Sequence, residues 1–299
     1  MTINRVEIDY HPVFNNELTI DFCSGVNVLI GGNGTGKTTL IKKMYGMAKS
    51  GQHYRSLDLS NDNNNPLRID DSTIIVTLTK NLHIVYIPEK DILEHAKGLL
   101  TFIEQKQTGF DQVYRDVLIA AQDVPTQEQS EIQKSVVRKT ASIINGDVHW
   151  DKDEGEFYTL KNDGNRIPFA NEASGYKKFG FLGLLVSSGQ LESGTVLFWD
   201  EPENSLNPEL IPILVDILLE LSRGGVQIFI ATHSEIFASY FAVNRQNGDQ
   251  VIFASLYKDG EQIKANTSDR FDFLEPNNLT AGPVKLYEKE IEKGLGGNG

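Results

Sequence analysis

Residues 31 to 38 read Gly-Gly-Asn-Gly-Thr-Gly-Lys-Thr. A glycine, four intervening residues and then Gly36-Lys37-Thr38 is the spacing of a phosphate-binding loop. Backbone N–H groups wrap a chain of phosphates, the lysine ammonium reaches the outer ones, and the threonine hydroxyl is a hard oxygen ligand for Mg²⁺. The candidate contacts are Gly31, Gly32, Asn33, Gly34, Thr35, Gly36, Lys37, Thr38 and Thr39. Glycine is expected at 31, 32, 34 and 36, because a Cβ there would hinder the tight turn or the approach of backbone to phosphate. Further groups lie far along the chain. TVLFWDEPE, residues 195–203, ends an apolar run in two adjacent carboxylates. Asp200 is placed to position Mg²⁺ together with Thr38, and Glu201 to accept a proton from an attacking water. His233 follows a second apolar run, VQIFIAT. Open α/β sheets gather ligand contacts at such strand ends, so His233 is expected to touch a γ-phosphate, the alternative being a structural histidine. Ser174-Gly175 precedes an amphipathic helix. Ser174 is either that helix's N-cap or, through the same exposed N–H groups and hydroxyl, a clamp for a phosphate held by another subunit; the two roles are compatible.

The elements that must position these groups follow a strand–loop–helix order. Val26–Ile30 is a short apolar, β-branched run, and Thr38–Ala48 reads as a helix whose N-terminus carries roughly half a positive charge toward an anion. Before it lie two alternating segments, Ile3–Tyr10 and Leu18–Phe22. After it come a polar loop at residues 60–66 and two β-rich runs, Ser72–Thr79 and Leu82–Ile87, whose Lys80-Asn81 junction suggests an antiparallel hairpin. Asp91–Ile144 turns to helical spacing, broken near Gly109 and at Pro125 into about three helices. That stretch, residues 91–145, reads as an inserted helical lobe. A hairpin is expected from Glu156–Leu160 and Arg166–Phe169. Strand–helix alternation then returns: Thr195–Trp199 with a helix over Pro208–Arg223, and Val226–Ala231 with one over Glu235–Phe241. Both strands are nearly all apolar, as central parallel strands covered on both faces must be. A last hairpin, Gln250–Tyr257 with Glu261–Lys264, precedes a helix at Val284–Lys293 and a flexible tail at residues 294–299.

Composition bounds the partners. The 299 residues fit a single domain with a sizeable core, 39% of them being hydrophobic. No run approaches a membrane span and the opening lacks a basic-then-apolar leader, so a cytoplasmic, membrane-free protein is expected. The one cysteine, Cys23, reads as a small buried filler in a strand. A net charge of −13 argues against a surface broadly adapted to nucleic acid. It leaves only a local basic groove at Arg138–Lys139 or Lys177–Lys178.

Phosphate loop, Ser-Gly before a helix, strand ending in Asp-Glu and Thr-His after the next strand, in that order, resemble the ATP-binding-cassette type of ATPase head. DEPENSLNPEL, residues 200–210, looks like the corresponding segment of RecF-like and overcoming-lysogenisation-defect-like ATPases, a branch that carries the AAA label. The resemblance implies an α/β P-loop NTPase with a mixed central sheet flanked by helices, an antiparallel β subdomain and the inserted lobe. It implies ATP and Mg²⁺ as cofactors, hydrolysis of ATP, and two heads closing head-to-tail as a homodimer or higher oligomer, with Ser174-Gly175 of one facing the phosphate loop of the other. The implied role is control of an effector protein or nucleic-acid-processing partner in DNA maintenance or antiviral defence; the alternative is the nucleotide-binding subunit of a membrane transporter. The chain departs from the pattern in three places. Ala173-Ser174-Gly175-Tyr176-Lys177 replaces Leu-Ser-Gly-Gly-Gln, Asn207 replaces an aspartate, and no glutamine sits near Ile87–Lys90 to sense water and metal. The stretch between Lys37 and Asp200 is too short for coiled-coil arms.

Overall fold

In a computed structural model the chain is described at residues 2–8, 11–15, 17–54, 74–78, 82–90, 93, 96, 112–122, 128–277, 279 and 287–293. It enters as β1 (Ile3–Ile8), β2 (Leu18–Asp21), β3 (Val26–Ile30), α1 (Lys37–Tyr54), β4 (Ile74–Leu78) and β5 (His83–Ile87). Helices α2 (Gln112–Ala120) and α3 (Glu131–Ile144) lead to β6 (Gly146–Asp151), β7 (Glu156–Lys161) and β8 (Arg166–Pro168). Then come α4 (Ser174–Ser187), β9 (Thr195–Asp200), α5 (Ile211–Arg223), β10 (Gln227–Thr232), α6 (Glu235–Asn244), β11 (Val251–Asp259) and β12 (Gln262–Ser268). Residues 287–293 are helical.

The central sheet has six strands in the order β12-β11-β3-β10-β9-β5. All its neighbours run parallel except the β11–β12 edge pair, which is antiparallel. Its strands are apolar on both faces because both faces are covered. Along β9, Val196 and Phe198 join the cluster under α1, while Leu197 and Trp199 join the cluster under α4 and α5. β10 repeats this, with Phe229 and Ala231 on one side and Ile228 and Ile230 on the other. That is the period-two pattern of a buried parallel strand. Fully burying a side chain such as Phe198 or Trp199 contributes roughly 2–3 kcal/mol each. Parallel strands point their carboxyl ends the same way, so the loops after β3, β5, β9 and β10 gather at one edge.

Two antiparallel sheets of three strands flank this core, β2-β1-β4 and β6-β7-β8. Buried Gln227 at the start of β10 docks the first, its amide oxygen accepting from the Ile3 N–H at 2.7 Å and its amide nitrogen donating to the Ile3 carbonyl at 2.8 Å. The expected α/β architecture with a mixed sheet is the one observed. The hairpins at β7–β8 and β11–β12 also form.

One hairpin does not. β4 pairs with β1 in the small sheet, whereas β5 pairs in parallel with β9 at the edge of the large one. Burial explains the separation: Val85 and Ile87 pack into one core cluster and Tyr86 into the other, so β5 needs cover on both faces, which the central sheet supplies. β6, placed between the helical stretch and the β7–β8 hairpin, went unforeseen. Cys23 is half-buried in the turn between β2 and β3, not in a strand; its N–H donates to buried Asn27 at 2.9 Å. Lys177 and Lys178 are buried on α4, so that pair forms no open cationic groove, and at the exposed Arg138–Lys139 pair Lys139 is ion-paired with Glu220 at 2.6 Å. No helix among the described residues is long and apolar enough to cross a membrane. The loop at 60–66, much of 91–111 and the tail at 294–299 lie outside the described residues.

Candidate functional site

The loops at the shared edge enclose a cavity of about 470 Å³ lined by Asn33, Gly34, Thr35, Gly36, Lys37, Thr38, Thr39, Glu89, Glu201 and His233. Its floor is the turn from β3 into α1. Gly31 has φ +154°, and a Cβ there would sit 2.3 Å from the Leu256 carbonyl oxygen. At Gly36, φ is +86° and a Cβ would meet the Phe14 ring at 2.7 Å. Only glycine fits either position. Gly32 is different: a Cβ there meets nothing within 4 Å, so the protein itself imposes no steric need for glycine at that position.

Lys37 is buried and folds back on the loop, its Nζ donating to the Gly31 carbonyl at 2.8 Å and the Gly32 carbonyl at 3.3 Å. Burial lowers its proton affinity, opposed by the charges of Glu201, Asp200 and Glu203. The ammonium thus rests on the loop carbonyls within the field of three carboxylates.

Thr38 donates from Oγ1 to Asp200 Oδ1 at 3.0 Å, joining the first turn of α1 to the end of β9. Asp200 is buried, and loss of solvent pushes its carboxyl up to about 6; the Thr38 bond opposes this, while Glu201 and Glu89 add to it. A carboxylate held in a dry, acidic setting beside a hydroxyl is a pair of hard oxygens whose charge a divalent cation would relieve, so the donor set fits Mg²⁺.

Glu201 follows with φ +48°, a left-handed conformation uncommon outside glycine that costs about 1–3 kcal/mol. Its neighbours over-determine it. The Glu201 N–H donates to the Ala231 carbonyl at 2.8 Å, and buried Lys178 donates to the Glu201 carbonyl at 3.2 Å. The side chain Oε2 lies 2.6 Å from His233 Nδ1 and accepts from the His233 backbone N–H at 3.2 Å. His233 is itself fixed by the start of α6, where Ser234 caps the helix by accepting from the Phe237 N–H at 3.2 Å.

Glu203 completes the acidic edge. Buried Thr232 donates its hydroxyl to one Glu203 oxygen, while the other has no hydrogen-bond partner among the described residues. Burial pushes this carboxyl up and the Glu201 charge adds to it. The ligating atoms of Glu201, Glu203 and His233 lie within 4.8 Å of one another.

Of the groups expected at the phosphate cradle, residues 33–39, Glu201 and His233 line one cavity, while Gly31 and Gly32 lie beside it through their bonds from Lys37 and Asp200 through its bond from Thr38. Ser174 and Gly175 do not reach that cavity. Ser174 is the first residue of α4 and exposed; Ala173 occupies the cap position, with no side-chain cap bond. The cap role read for Ser174 thus falls one residue away, and its hydroxyl is not engaged in one. Asn207 does cap, accepting from the Glu209 N–H at 3.3 Å. Sequence reasoning left Glu89 without a role and missed Glu203 and Lys178. Glu89 follows the carboxyl end of β5, the same strand-end signal that marked His233, and accepts from Asn204 at 3.1 Å.

Residues 48–239, which include Ser174, Asp200, Glu201 and His233, match the family described as "AAA domain, putative AbiEii toxin, Type IV TA system". Among solved structures, the chain is similar to an SMC head bound to the C-winged helix domain of ScpA, at TM-score 0.55 and 13% identity over 90% of this chain and 98% of that one. It is similar to an SMC head domain with an extended coiled coil from Pyrococcus furiosus at TM-score 0.51 and 12% identity, covering 97% and 99% of the two chains. An ATP-binding cassette of an ABC transporter, MJ1267, matches at TM-score 0.52 and 17% identity over 96% and 99%. These identities speak to the fold: it is that of an ABC-type ATPase head. The L-cystine import ATP-binding protein TcyN of Bacillus subtilis (strain 168) is 36% identical over 58 residues, a stretch spanning 19% of this chain and only 20% of that relative. The chain belongs to the AAA-domain family that its central two-thirds match.

Proposed function

We propose that this family member binds MgATP in the cavity above β3 and hydrolyses it. Lys37 and the amides of residues 31–38 hold the phosphates, Thr38 and Asp200 hold Mg²⁺, Glu201 takes the proton of the attacking water, and His233 keeps the Glu201 carboxylate in place while facing the γ-phosphate. The cation, when bound, neutralises charge on the phosphates. The rest is done by fixed protein groups, which cost no reorganisation as charge develops. The carrying observation is the Thr38–Asp200 hydrogen bond of 3.0 Å with Glu201 next along the chain and lining the same cavity.

Two copies closing head-to-tail would add Ser174-Gly175 of each to the nucleotide held by the other, and the open-to-closed change would switch an effector partner in DNA maintenance or anti-phage defence. The exposed, uncapped Ser174 and the SMC-head fold support this reading. The local similarity to TcyN favours a second one, the nucleotide-binding subunit of a transporter. Copurification with a membrane-spanning protein selects the second; copurification with a soluble effector selects the first. Single-turnover hydrolysis by the purified chain tests the site itself: wild type releases phosphate, and Glu201→Gln binds ATP without releasing it. Wild-type turnover in Glu201→Gln would remove Glu201 from the mechanism.

A further inference from the structure

The flank of the central sheet away from the catalytic carboxylates carries a cation with no role so far. β11 runs parallel to β3, and the last paired position sets Ser255 opposite Ile30. β3 ends there in the phosphate loop, but β11 continues to Asp259 and so passes alongside that loop. The close approach of Gly31 to the Leu256 carbonyl is one result. Side chains alternate along a strand, so Lys258 shares a face with Leu256, which is buried in the cluster under α1. That is the face on which the loop and α1 lie. The Lys258 ammonium accordingly sits beside the loop, 3.7 Å from where a Cβ on Gly34 would be.

Its charge is unopposed. Lys258 is exposed and makes no hydrogen bond or ion pair among the described residues, and the adjacent carboxylate, Asp259, is already bound to Lys264. In a chain of net charge −13, an exposed ammonium beside the loop read as a phosphate cradle is a position with an electrostatic purpose. The sheet order sets the side from which it approaches the loop. β10 and β9, with Asp200, Glu201 and His233 at their ends, lie on one side of β3, and β11 lies on the other. Lys37 faces the carboxylates; Lys258 approaches from the opposite flank.

We propose that Lys258 is a second phosphate-binding lysine of this site, holding the nucleotide's phosphate chain from the β11 side, away from the reacting phosphate. This rests on the reading of the cavity as an ATP site. Lys258 then contributes to retention of the nucleotide more than to its cleavage, and it makes the β11–β12 hairpin part of the binding site.

Titration calorimetry with MgATP, at low and at moderate salt, tests this on the full chain. Lys258→Ala is expected to weaken binding about fivefold at low salt, with a shallower salt dependence, as for removal of one exposed charge pair. Its single-turnover rate at saturating ATP falls less than its affinity. Lys258→Arg keeps the cation and is expected to bind within about twofold of wild type. Unchanged affinity and salt dependence in Lys258→Ala, with binding lost in Lys37→Ala, overturns the role of Lys258 and leaves the ATP site standing. An equal loss in Lys258→Arg and Lys258→Ala also overturns it, because a structural role would not be rescued by charge. Failure of the wild-type chain to bind MgATP overturns both readings together.

Discussion

At the ends of β3, β9 and β10, Lys37, Thr38, Asp200, Glu201 and His233 all bond to one another or to the loop itself. At the start of α4, Ser174 stands exposed, with Ala173 in the cap position and no bond from its hydroxyl among the described residues. The first region is preorganised: buried charges face one another before any nucleotide arrives, and the strained Glu201 backbone is held by Ala231 and Lys178. The second presents a helix N-terminus with no side-chain cap bond among the described residues. Under the proposed function, one chain supplies the cradle and the base, and the start of α4 is the kind of surface that a second copy's bound phosphate would complete.

Breaking each half separately sharpens that contrast. The largest effect is expected from Glu201→Gln, which keeps the shape of the side chain but not its basicity; turnover should fall by about 10²–10⁴-fold while ATP binding persists, as read by single-turnover release of phosphate. Ser174→Arg should leave ATP binding by one chain intact yet weaken ATP-dependent association by about tenfold or more, measured by light scattering in a Glu201→Gln background. Equal dimerisation with and without the arginine would detach α4 from any role across subunits.

Asp200 offers a stability test with a definite sign. Its folded-state pKa, about 6, lies above the ordinary aspartate value. Between roughly pH 4 and 6 the folded chain therefore binds more protons than the unfolded one, so stability falls as pH rises through this window and the cost is complete above it. Asp200→Asn should stabilise the nucleotide-free protein by about 2 kcal/mol at pH 7.5, with the advantage fading toward pH 4. Urea denaturation at several pH values reads this; a destabilised variant at pH 7.5 would mean that the carboxylate is better solvated or better paired than its surroundings indicate. The smallest effect distinguishes glycines of the loop. Gly32→Ala should change folding stability by no more than about 0.5 kcal/mol, whereas Gly36→Ala, strained in φ and pressed on Phe14, should cost about 2 kcal/mol or more in the same assay.

The sequence made the cradle legible because its residues are contiguous and each has one chemical reason to be there. Asp200, Glu201 and His233 were legible because a nearly all-apolar strand announces where its carboxyl end falls. Glu89 and Lys258 were not, since each enters through a strand's place in the sheet: β5 lies against β9, and β11 outruns β3. Order among parallel strands is set by long-range packing and leaves no local pattern. The same cause undid the hairpin at Lys80-Asn81, where a turn-like junction competed with the need of Val85, Tyr86 and Ile87 for cover on two faces. Glu203 carries a carboxylate two residues past Glu201, and only the fold reveals that it turns inward to Thr232.

The central claim is that Thr38 and Asp200 share a magnesium ion beneath the phosphates. The direct measurement is ATP affinity with Mg²⁺ and with the metal chelated, in wild type and in Asp200→Asn. Tighter binding with Mg²⁺ in wild type, by about tenfold, and loss of that difference in Asp200→Asn is the result expected. An undiminished magnesium effect in Asp200→Asn, or none in wild type, would contradict the account.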